Sequence, residues 1–242
     1  MNPISLWLPT VCFVLLLLRP SQAIFGGSQV DVKQYPYTAV VTYNGSYACG
    51  ASIIGARYIL TTATCCYVYF DEDVAFMKVR LGNTDYNQGI SANVTDMGIN
   101  PFFFTRLYIN SCILTLDKDL DFSDSVRAVP VLPWFTNVTV GQQVVLSGWG
   151  INSTNTTEMS DRINAITLPI TAVMEYNLNA IDQDGKKGVC PGDLGGPAVV
   201  NGTLVGIIGG TTGSCGEVTR ASNLVYIGYH YVRAHIRDVT GL

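Results

Sequence analysis

The stretch that decides the fold runs from Cys190 to Pro197 and reads Cys-Pro-Gly-Asp-Leu-Gly-Gly-Pro. Glycines at this density let backbone N–H groups converge on one point, which is the geometry that an oxyanion hole needs. A hydrolytic loop of this kind holds its nucleophile directly after the aspartate. Here that residue is Leu194, and a leucine side chain cannot attack a substrate. The loop therefore predicts the shape of a catalytic site without its reacting atom.

The composition is that of a folded chain with an unusually uncharged surface. Of 242 residues, 48% are apolar and only 13% are charged, against a usual charged share of about 25%. The net charge of −4 becomes −5 when Arg19 leaves with a leader, because 13 basic residues then face 18 acidic ones. The chain has no basic block, so we expect no nucleic-acid partner.

The N-terminal segment predicts a secretory signal peptide over residues 1–23. The apolar run from Leu6 to Leu18 is too short to span a bilayer, and Ser21 and Ala23 fit the small-residue cleavage pattern. An uncleaved anchor is the alternative. We expect a secreted, extracellular product with no membrane association.

The chain also carries candidate sites for N-linked glycans. Such glycans would help to solubilise a surface that is poor in charge. Asn152 and Asn155 are too close together for both to be readily occupied. The six sequons are at Asn44, Asn93, Asn137, Asn152, Asn155 and Asn201.

Short runs rich in Val, Ile, Thr and Tyr predict an all-β protein built as an antiparallel sandwich or barrel. The tail, residues 229–238, has helical character. The predicted strands are 38–43, 52–60, 77–81, 112–116, 129–132, 143–147, 165–171, 198–206 and 224–228.

The opening loop, with Leu-Ser-Gly-Trp-Gly at Leu146 to Gly150 and Leu-Thr-Thr-Ala-Thr-Cys at Leu60 to Cys65, resembles the trypsin/chymotrypsin family of serine proteases. The resemblance implies two six-stranded antiparallel β-barrels in a domain covering 24–242. The first barrel would cover 24–128. The second barrel, with a terminal helix, would cover 129–242, and we expect a monomer.

The same resemblance implies that all three catalytic side chains are replaced. Thr64 stands where the family has its histidine, Asn110 where it has its aspartate, and Leu194 where it has its serine. The two histidines of the chain, His230 and His235, lie in the helical tail, so we expect them to be surface or packing residues. Without a base or a nucleophile we expect no enzymatic activity.

The specificity pocket is also expected to be filled. Thr211 and Leu224 replace the two glycines that keep the family's pocket open, and Gly188 replaces the aspartate at the base of trypsin-like pockets. The loop that resembles the family's calcium site, residues 82–93, has Asp85 as its one carboxylate, which is too few hard oxygen ligands. We therefore expect no metal and no cofactor.

Six of the seven cysteines remain once the leader is removed. Cys66 and Cys112 lie next to positions that the family uses for catalysis, and the alternatives for them are a bridge or two free thiols. The resemblance implies the other two disulfides, Cys49–Cys65 and Cys190–Cys215.

A leader cut after Ala23 would make Ile24 the new terminus, in the sequence Ile-Phe-Gly-Gly. The resemblance implies that its ammonium enters the protein and pairs with Asp193, since a buried carboxylate without a counter-charge would be costly. The alternative is a solvated Asp193 with a disordered terminus.

At a finer level, the chain resembles the inactivated protease paralogues of the scabies mite, which are relatives of the mite group 3 gut allergens. That resemblance implies release into the gut lumen and faeces and immune evasion. It also implies inhibition of host complement by binding plasma proteins, with complement components among them. The alternatives are a decoy for protease inhibitors, a hydrolase using Cys66 or Cys112, and a luminal glycoprotein without a specific partner.

Overall fold

The computed structural model describes residues 24–70, 72–151, 158–211, 215 and 221–242. These residues form two closed antiparallel β-barrels of six strands each, with one helix at the C-terminal end. The all-β, two-barrel prediction is confirmed. The predicted signal peptide, residues 1–23, lies outside the described residues.

The first barrel closes around a core of aliphatic side chains. In its strand of residues 77–81, Met77, Val79 and Leu81 are buried while Lys78 is exposed, which is the period-two alternation of a strand with one face on a core. A short strand, β1 (Ser28–Gln29), precedes the barrel. The barrel strands are β2 (Thr38–Tyr43), β3 (Ser46–Ile53), β4 (Tyr58–Thr61), β5 (Met77–Leu81), β6 (Ile90–Ile99) and β7 (Cys112–Leu116), hydrogen-bonded in the closed order β2-β3-β4-β7-β6-β5.

The second barrel closes in the order β8-β9-β10-β13-β12-β11, and β1 adds to the edge of β9. The turn Asn201–Gly202 between β11 and β12 has both residues at positive φ, as a two-residue hairpin turn requires. The six strands are β8 (Gln143–Gly148), β9 (Asn164–Val173), β10 (Asn177–Ala180), β11 (Pro197–Val200), β12 (Thr203–Thr211) and β13 (Ser222–Tyr226).

Helices lie in the connections and at the C-terminal end. Helix α1 (Ala63–Tyr67) follows β4, and helix α2 (His230–Thr240) closes the chain. Val232 and Ile236 of α2 are buried in the larger core cluster, and α2 ends at Gly241 with φ +79, a left-handed cap. The described 3-10 helices are Val32–Gln34, Val74–Phe76, Tyr86–Gln88 and Pro101–Phe104.

Buried polar contacts join the two barrels. The hydroxyls of Thr38 and Ser147 lie 2.7 Å apart, and the Gly50 N–H donates to the Leu194 carbonyl at 2.8 Å. Three disulfides reinforce the chain, including the bridge between Cys66 and Cys112 that was one of two alternatives. The bridges are Cys49–Cys65, Cys66–Cys112 and Cys190–Cys215, with Cα–Cα distances of 6.2, 6.5 and 4.9 Å.

Some strand predictions were wrong. Residues 129–132 are not a strand, because Pro130 has no N–H to donate and Val131 forms only an isolated bridge with Leu204. The predicted strands 52–60 and 198–206 are each interrupted by a turn, which separates β3 from β4 and β11 from β12.

Candidate functional site

The Cys190–Pro197 loop is a tight turn at the junction of the barrels. The Asp193 N–H donates to the Cys190 carbonyl at 3.0 Å, and the Gly196 N–H donates to the Asp193 carbonyl at 3.0 Å. Gly195 has φ +89, and a Cβ there would collide with the Gly50 carbonyl. The glycines are therefore required by backbone conformation and close packing.

Asp193 is fully buried beneath this loop. Its carboxylate accepts the Gly150 N–H at 2.9 Å and the Cys190 N–H at 2.8 Å. Desolvation by burial raises the pKa of Asp193 to about 7, although the two backbone hydrogen bonds act to lower it. A Cβ on Gly148 or Gly150 would collide with the carboxylate, so the Leu-Ser-Gly-Trp-Gly motif makes room for it.

Ile24 lies at the other end of the predicted ion pair. Its side chain is fully buried in the larger core cluster, and the neighbouring Phe25 carbonyl accepts the Gly188 N–H at 3.1 Å. In the full-length chain the Ile24 nitrogen is an amide bonded to Ala23, so it carries no charge. The contacts within the described residues include no pair between Ile24 and Asp193. The ion pair stays a prediction for the cleaved chain.

Thr64 and Asn110 contact each other, as the replaced histidine and aspartate would. The Asn110 side-chain carbonyl accepts the Thr64 backbone N–H at 2.8 Å and the Thr64 hydroxyl at 3.2 Å. Thr62 caps the start of helix α1, which places Thr64 in the first turn. An alcohol and a primary amide cannot accept and return a proton near neutral pH, so this pair is no general base.

Leu194 stands at the nucleophile position with its side chain half-buried. It packs against the apolar cluster of the first barrel, so it adds to the core instead of facing a substrate as a reactive group. Together with Thr64 and Asn110 it completes a site that has the family's spacing and none of its acid–base or nucleophilic groups.

Gly192, two residues before Leu194, is the loop residue whose backbone N–H would serve as an oxyanion-type donor, and it has two neighbours that the sequence did not reveal. The Tyr47 hydroxyl donates to the Gly192 carbonyl at 2.7 Å, and Met159 lies against Gly192, where a Cβ would collide with its sulfur. Burial and the nearby Asp193 carboxylate hold the pKa of Tyr47 well above its usual range. Tyr47 lies 145 residues from Gly192 in the chain, so no local signal could have found this contact.

The predicted pocket residues lie together around β12 and β13. Leu224 is fully buried, opposite Ile208 in the strand pairing, and belongs to the larger core cluster. Thr211 pairs with Ser222, and a Cβ on Gly188 would meet only the Ser222 hydroxyl, at 3.9 Å. The burial of Leu224 is what a filled pocket requires. Closure of the pocket stays a prediction.

The described residues offer no replacement chemistry at this site. His235 is buried, with its Nδ1 3.4 Å from the hydroxyl of Ser111, the neighbour of Asn110. It therefore lies nearer the site than the sequence indicated. Burial lowers the pKa of His235 to about 4 and leaves it neutral, while Ser111 is fully buried and out of reach of a substrate. Cys66 and Cys112 are bridged, so the hydrolase with a thiol nucleophile was a wrong alternative.

Two further properties of the described ranges bear on metals and membranes. No group of three potential metal-ligating side chains lies close enough together within the described ranges to hold an ion. No described helix has the length and apolarity needed to cross a bilayer.

A cluster of four aromatic rings begins at Tyr67 in helix α1, the helix that also carries Thr64. We call it the aromatic face and define it as Tyr67, Phe70, Phe103 and Phe104. Its ring centroids are 5.9 to 6.0 Å apart. Tyr67, Phe70 and Phe104 are each more than half exposed, whereas Phe103 is buried. Leu107, three residues after Phe104 in the chain, is 72% exposed. Contiguous exposed apolar surface of this kind marks interaction sites.

The chain is similar in sequence and in structure to known proteins. The Trypsin family model matches residues 24–236. The vitellin-degrading protease of Bombyx mori is 27% identical over 220 residues, which cover 82% of each chain. Trypsin epsilon of Drosophila erecta is 29% identical over 217 residues, covering 84% of this chain and 82% of the relative. A mutant of human heparin binding protein is similar in structure, with a TM-score of 0.79 at 23% identity, covering 90% of this chain and 97% of that one. This last likeness concerns the fold alone.

Proposed function

Since this chain belongs to the trypsin family of serine proteases, we propose that it is a secreted, proteolytically inactive homologue that acts by binding other proteins. The relatives above are named as proteases, and the proposal separates this chain from them on the chemistry of its own residues. The single observation that carries it is the Thr64–Asn110 hydrogen bond in the place of a histidine–aspartate pair.

The replacement of all three catalytic side chains supports proteolytic inactivity. In a serine protease, removing the triad costs on the order of 10⁶ in turnover, and the residual rate comes from the oxyanion hole and substrate binding. Here Leu194 packs on the core and Met159 lies against the oxyanion residue Gly192. The residual contributions are therefore weakened as well.

The aromatic face supports protein binding. Aromatic side chains are enriched at the cores of protein interfaces and often contribute most of the binding free energy. Tyr67 stands three residues after Thr64 in helix α1, and the other rings pack on Tyr67 or on Phe104. Helix α1 is tied to β7 by the Cys66–Cys112 bridge. A partner that docks there would contact the helix that carries Thr64.

The proposed partners are host plasma proteins, with complement components first among them, and the proposed outcome is inhibition of complement. Support for the partner class comes from the resemblance to inactivated mite protease paralogues. The decoy for protease inhibitors is less well supported, because such inhibitors need an open pocket and Leu224 is fully buried.

The experiment uses the secreted chain, first in a peptide-hydrolysis assay and then in a serum haemolysis assay. We expect no turnover, and we expect lysis to fall as the protein is added. Phe70→Ser and Phe104→Ser should abolish this inhibition, while Val140→Ser should not, because Val140 is 62% exposed but lies outside the aromatic face.

Two results would remove the proposal. Peptide hydrolysis by the purified wild-type chain would contradict inactivity. Unchanged lysis at all concentrations would contradict the complement role and leave the luminal glycoprotein as the better description.

A further inference from the structure

Beyond the proposed function, we propose that the exposed ring of Phe135 is the docking surface for the first N-acetylglucosamine of a glycan carried on Asn137. The sequon alone marks Asn137 as a candidate acceptor. The structure adds a specific side chain for the sugar to pack against and a reason for Phe135 to be where it is.

Two independent features of Phe135 are unfavourable, the exposure of its ring and its backbone conformation. The residue is 99% exposed, so its ring gains almost nothing from burial, and its ring neighbour among the described residues is Trp134, with the centroids 6.2 Å apart. Its φ is +62°, in the left-handed region that bulky residues rarely adopt. The Thr136 N–H donates to the Pro133 carbonyl at 3.3 Å, so Phe135 is the third residue of a four-residue turn, where glycine or asparagine is favoured.

Asn137 lies two residues further on and presents its amide to solvent. Val138 is buried, whereas its two neighbours, Asn137 and Thr139, are exposed. Phe135 and Asn137 line the same cavity of about 240 Å³, so a sugar on the Asn137 amide would be attached beside the segment that carries the ring. The Asn137 side chain makes no hydrogen bond within the described part of the chain.

The chemistry of the two groups is complementary. A pyranose presents a face of C–H bonds, and an aromatic ring presents a flat apolar surface with a negative quadrupole. Because the sugar is covalently attached beside the ring, packing requires no encounter from solution, and the effective concentration is high. Covering the ring recovers the hydrophobic stabilisation that full exposure forgoes.

The other described sequons lack this arrangement. Two positions before Asn44, Asn93 and Asn201 stand Thr42, Ser91 and Val199, none of them aromatic. The Asn93 amide already donates to the Asp117 carboxylate at 2.9 Å. The structure therefore singles out Asn137 among the described acceptor sites, while Asn152 and Asn155 lie outside the described residues.

The test is a double-mutant cycle in the full chain, secreted from eukaryotic cells under its own leader. Phe135→Gly removes the ring, Thr139→Ala removes the sequon, and mass spectrometry measures occupancy at Asn137. In the glycosylated protein, Phe135→Gly should raise the unfolding equilibrium constant by roughly two- to tenfold, the range of an aromatic contact. In the Thr139→Ala background it should lower this constant or leave it unchanged, because glycine relieves the positive φ.

Two further variants sharpen the reading. Phe135→Trp keeps an aromatic ring at this position and should keep the energetic coupling between the ring and the glycan. Ser46→Ala removes the Asn44 sequon and should leave the effect of Phe135→Gly unchanged. An unoccupied Asn137, or an equal effect of Phe135→Gly with and without the Asn137 glycan, would overturn the proposal.

Discussion

The substitution Asp193→Asn should change stability in opposite directions before and after the chain is cut ahead of Ile24. In the full-length chain, the buried carboxylate has two backbone N–H donors and no cation within the described residues, and burial raises the pKa of Asp193 from 3.8 to about 7. After cleavage, the Ile24 ammonium would supply the missing counter-charge. The Asp193 carboxylate therefore has no counter-charge among the described residues of the full-length chain and would have one in the cleaved chain.

The magnitudes follow from these contacts. A pKa shift of about three units corresponds to a cost of about 4 kcal/mol for the ionised carboxylate near pH 8. Asparagine removes this cost, but its NH₂ would face the N–H of Gly150 or Cys190, and one unsatisfied buried donor costs about 1–3 kcal/mol. The full-length variant should therefore be more stable by about 1–3 kcal/mol. In the cleaved form the same change would leave the buried Ile24 ammonium without a counter-charge, and it should lower the free energy of unfolding by about 3–5 kcal/mol.

The pH dependence separates the two forms further. Because the folded-state pKa of Asp193 is raised above its unfolded value of 3.8, the contribution of Asp193 to stability is fully present below that value. It is lost as the pH rises through about 7. The full-length chain should lose stability across this window, and its Asp193→Asn variant should not. In the cleaved chain a paired Ile24 ammonium would lower the pKa of Asp193, so we expect the loss of stability across this window to disappear.

The assay is urea unfolding between acid and mildly alkaline pH. The samples are the full chain refolded with residues 1–23 attached and a chain prepared so that Ile24 is its first residue. Asp184→Asn, a change at an exposed carboxylate, is the matched control and should shift neither form appreciably. If Asp193→Asn destabilises both forms by the same amount, burial does not penalise this carboxylate and the reasoning is refuted.

Three other predictions concern the pocket, the loop and the third disulfide. With histidine, aspartate and serine placed at positions 64, 110 and 194, ester hydrolysis should be slow, and adding Leu224→Gly should raise kcat/KM by at least about tenfold, because the pocket must open to bind the substrate. Gly195→Ala should cost about 3 kcal/mol or more in a melt, since it meets backbone at positive φ; Gly202→Ala, with open space around it, should cost about 1 kcal/mol. Replacing Cys66 and Cys112 together with serine should cost about 4 kcal/mol in urea unfolding, given their separation of 46 residues.

The strands that sequence could predict are those with a continuous apolar signal. Residues 77–81 and 112–116 were predicted with the bounds that the structure has, because their alternating or continuous Val, Ile and Leu residues are typical of strands. Strand β6 was missed, since its Asn, Thr, Asp and Gly residues mask the pattern and a register shift interrupts it between Val94 and Asp96. Strand β10, Asn177–Ala180, has little strand propensity of its own and forms by pairing with both β9 and β13.

Some residues of the candidate site could be predicted from the sequence and others could not. Local motifs located Thr64, Leu194 and Asp193, because each lies within a short recognisable segment. The hydrogen bond of Tyr47 to the oxyanion residue and the contact of His235 with Ser111 could not be predicted, since they join residues 145 and 124 positions apart. Such contacts depend on how the barrels and the terminal helix pack, which no local pattern specifies.

The loop can keep its shape after losing its chemistry because packing, and not catalysis, requires its glycines. A Cβ on Gly195 would meet the Gly50 carbonyl, and a Cβ on Gly150 would lie 2.5 Å from the Asp193 carboxylate, so either change would disturb the junction of the barrels. The side chain at position 194 is a leucine that packs against the apolar cluster of the first barrel. A likeness carried by these glycines therefore reports on the fold, and activity has to be argued from the side chains at the three positions that would react.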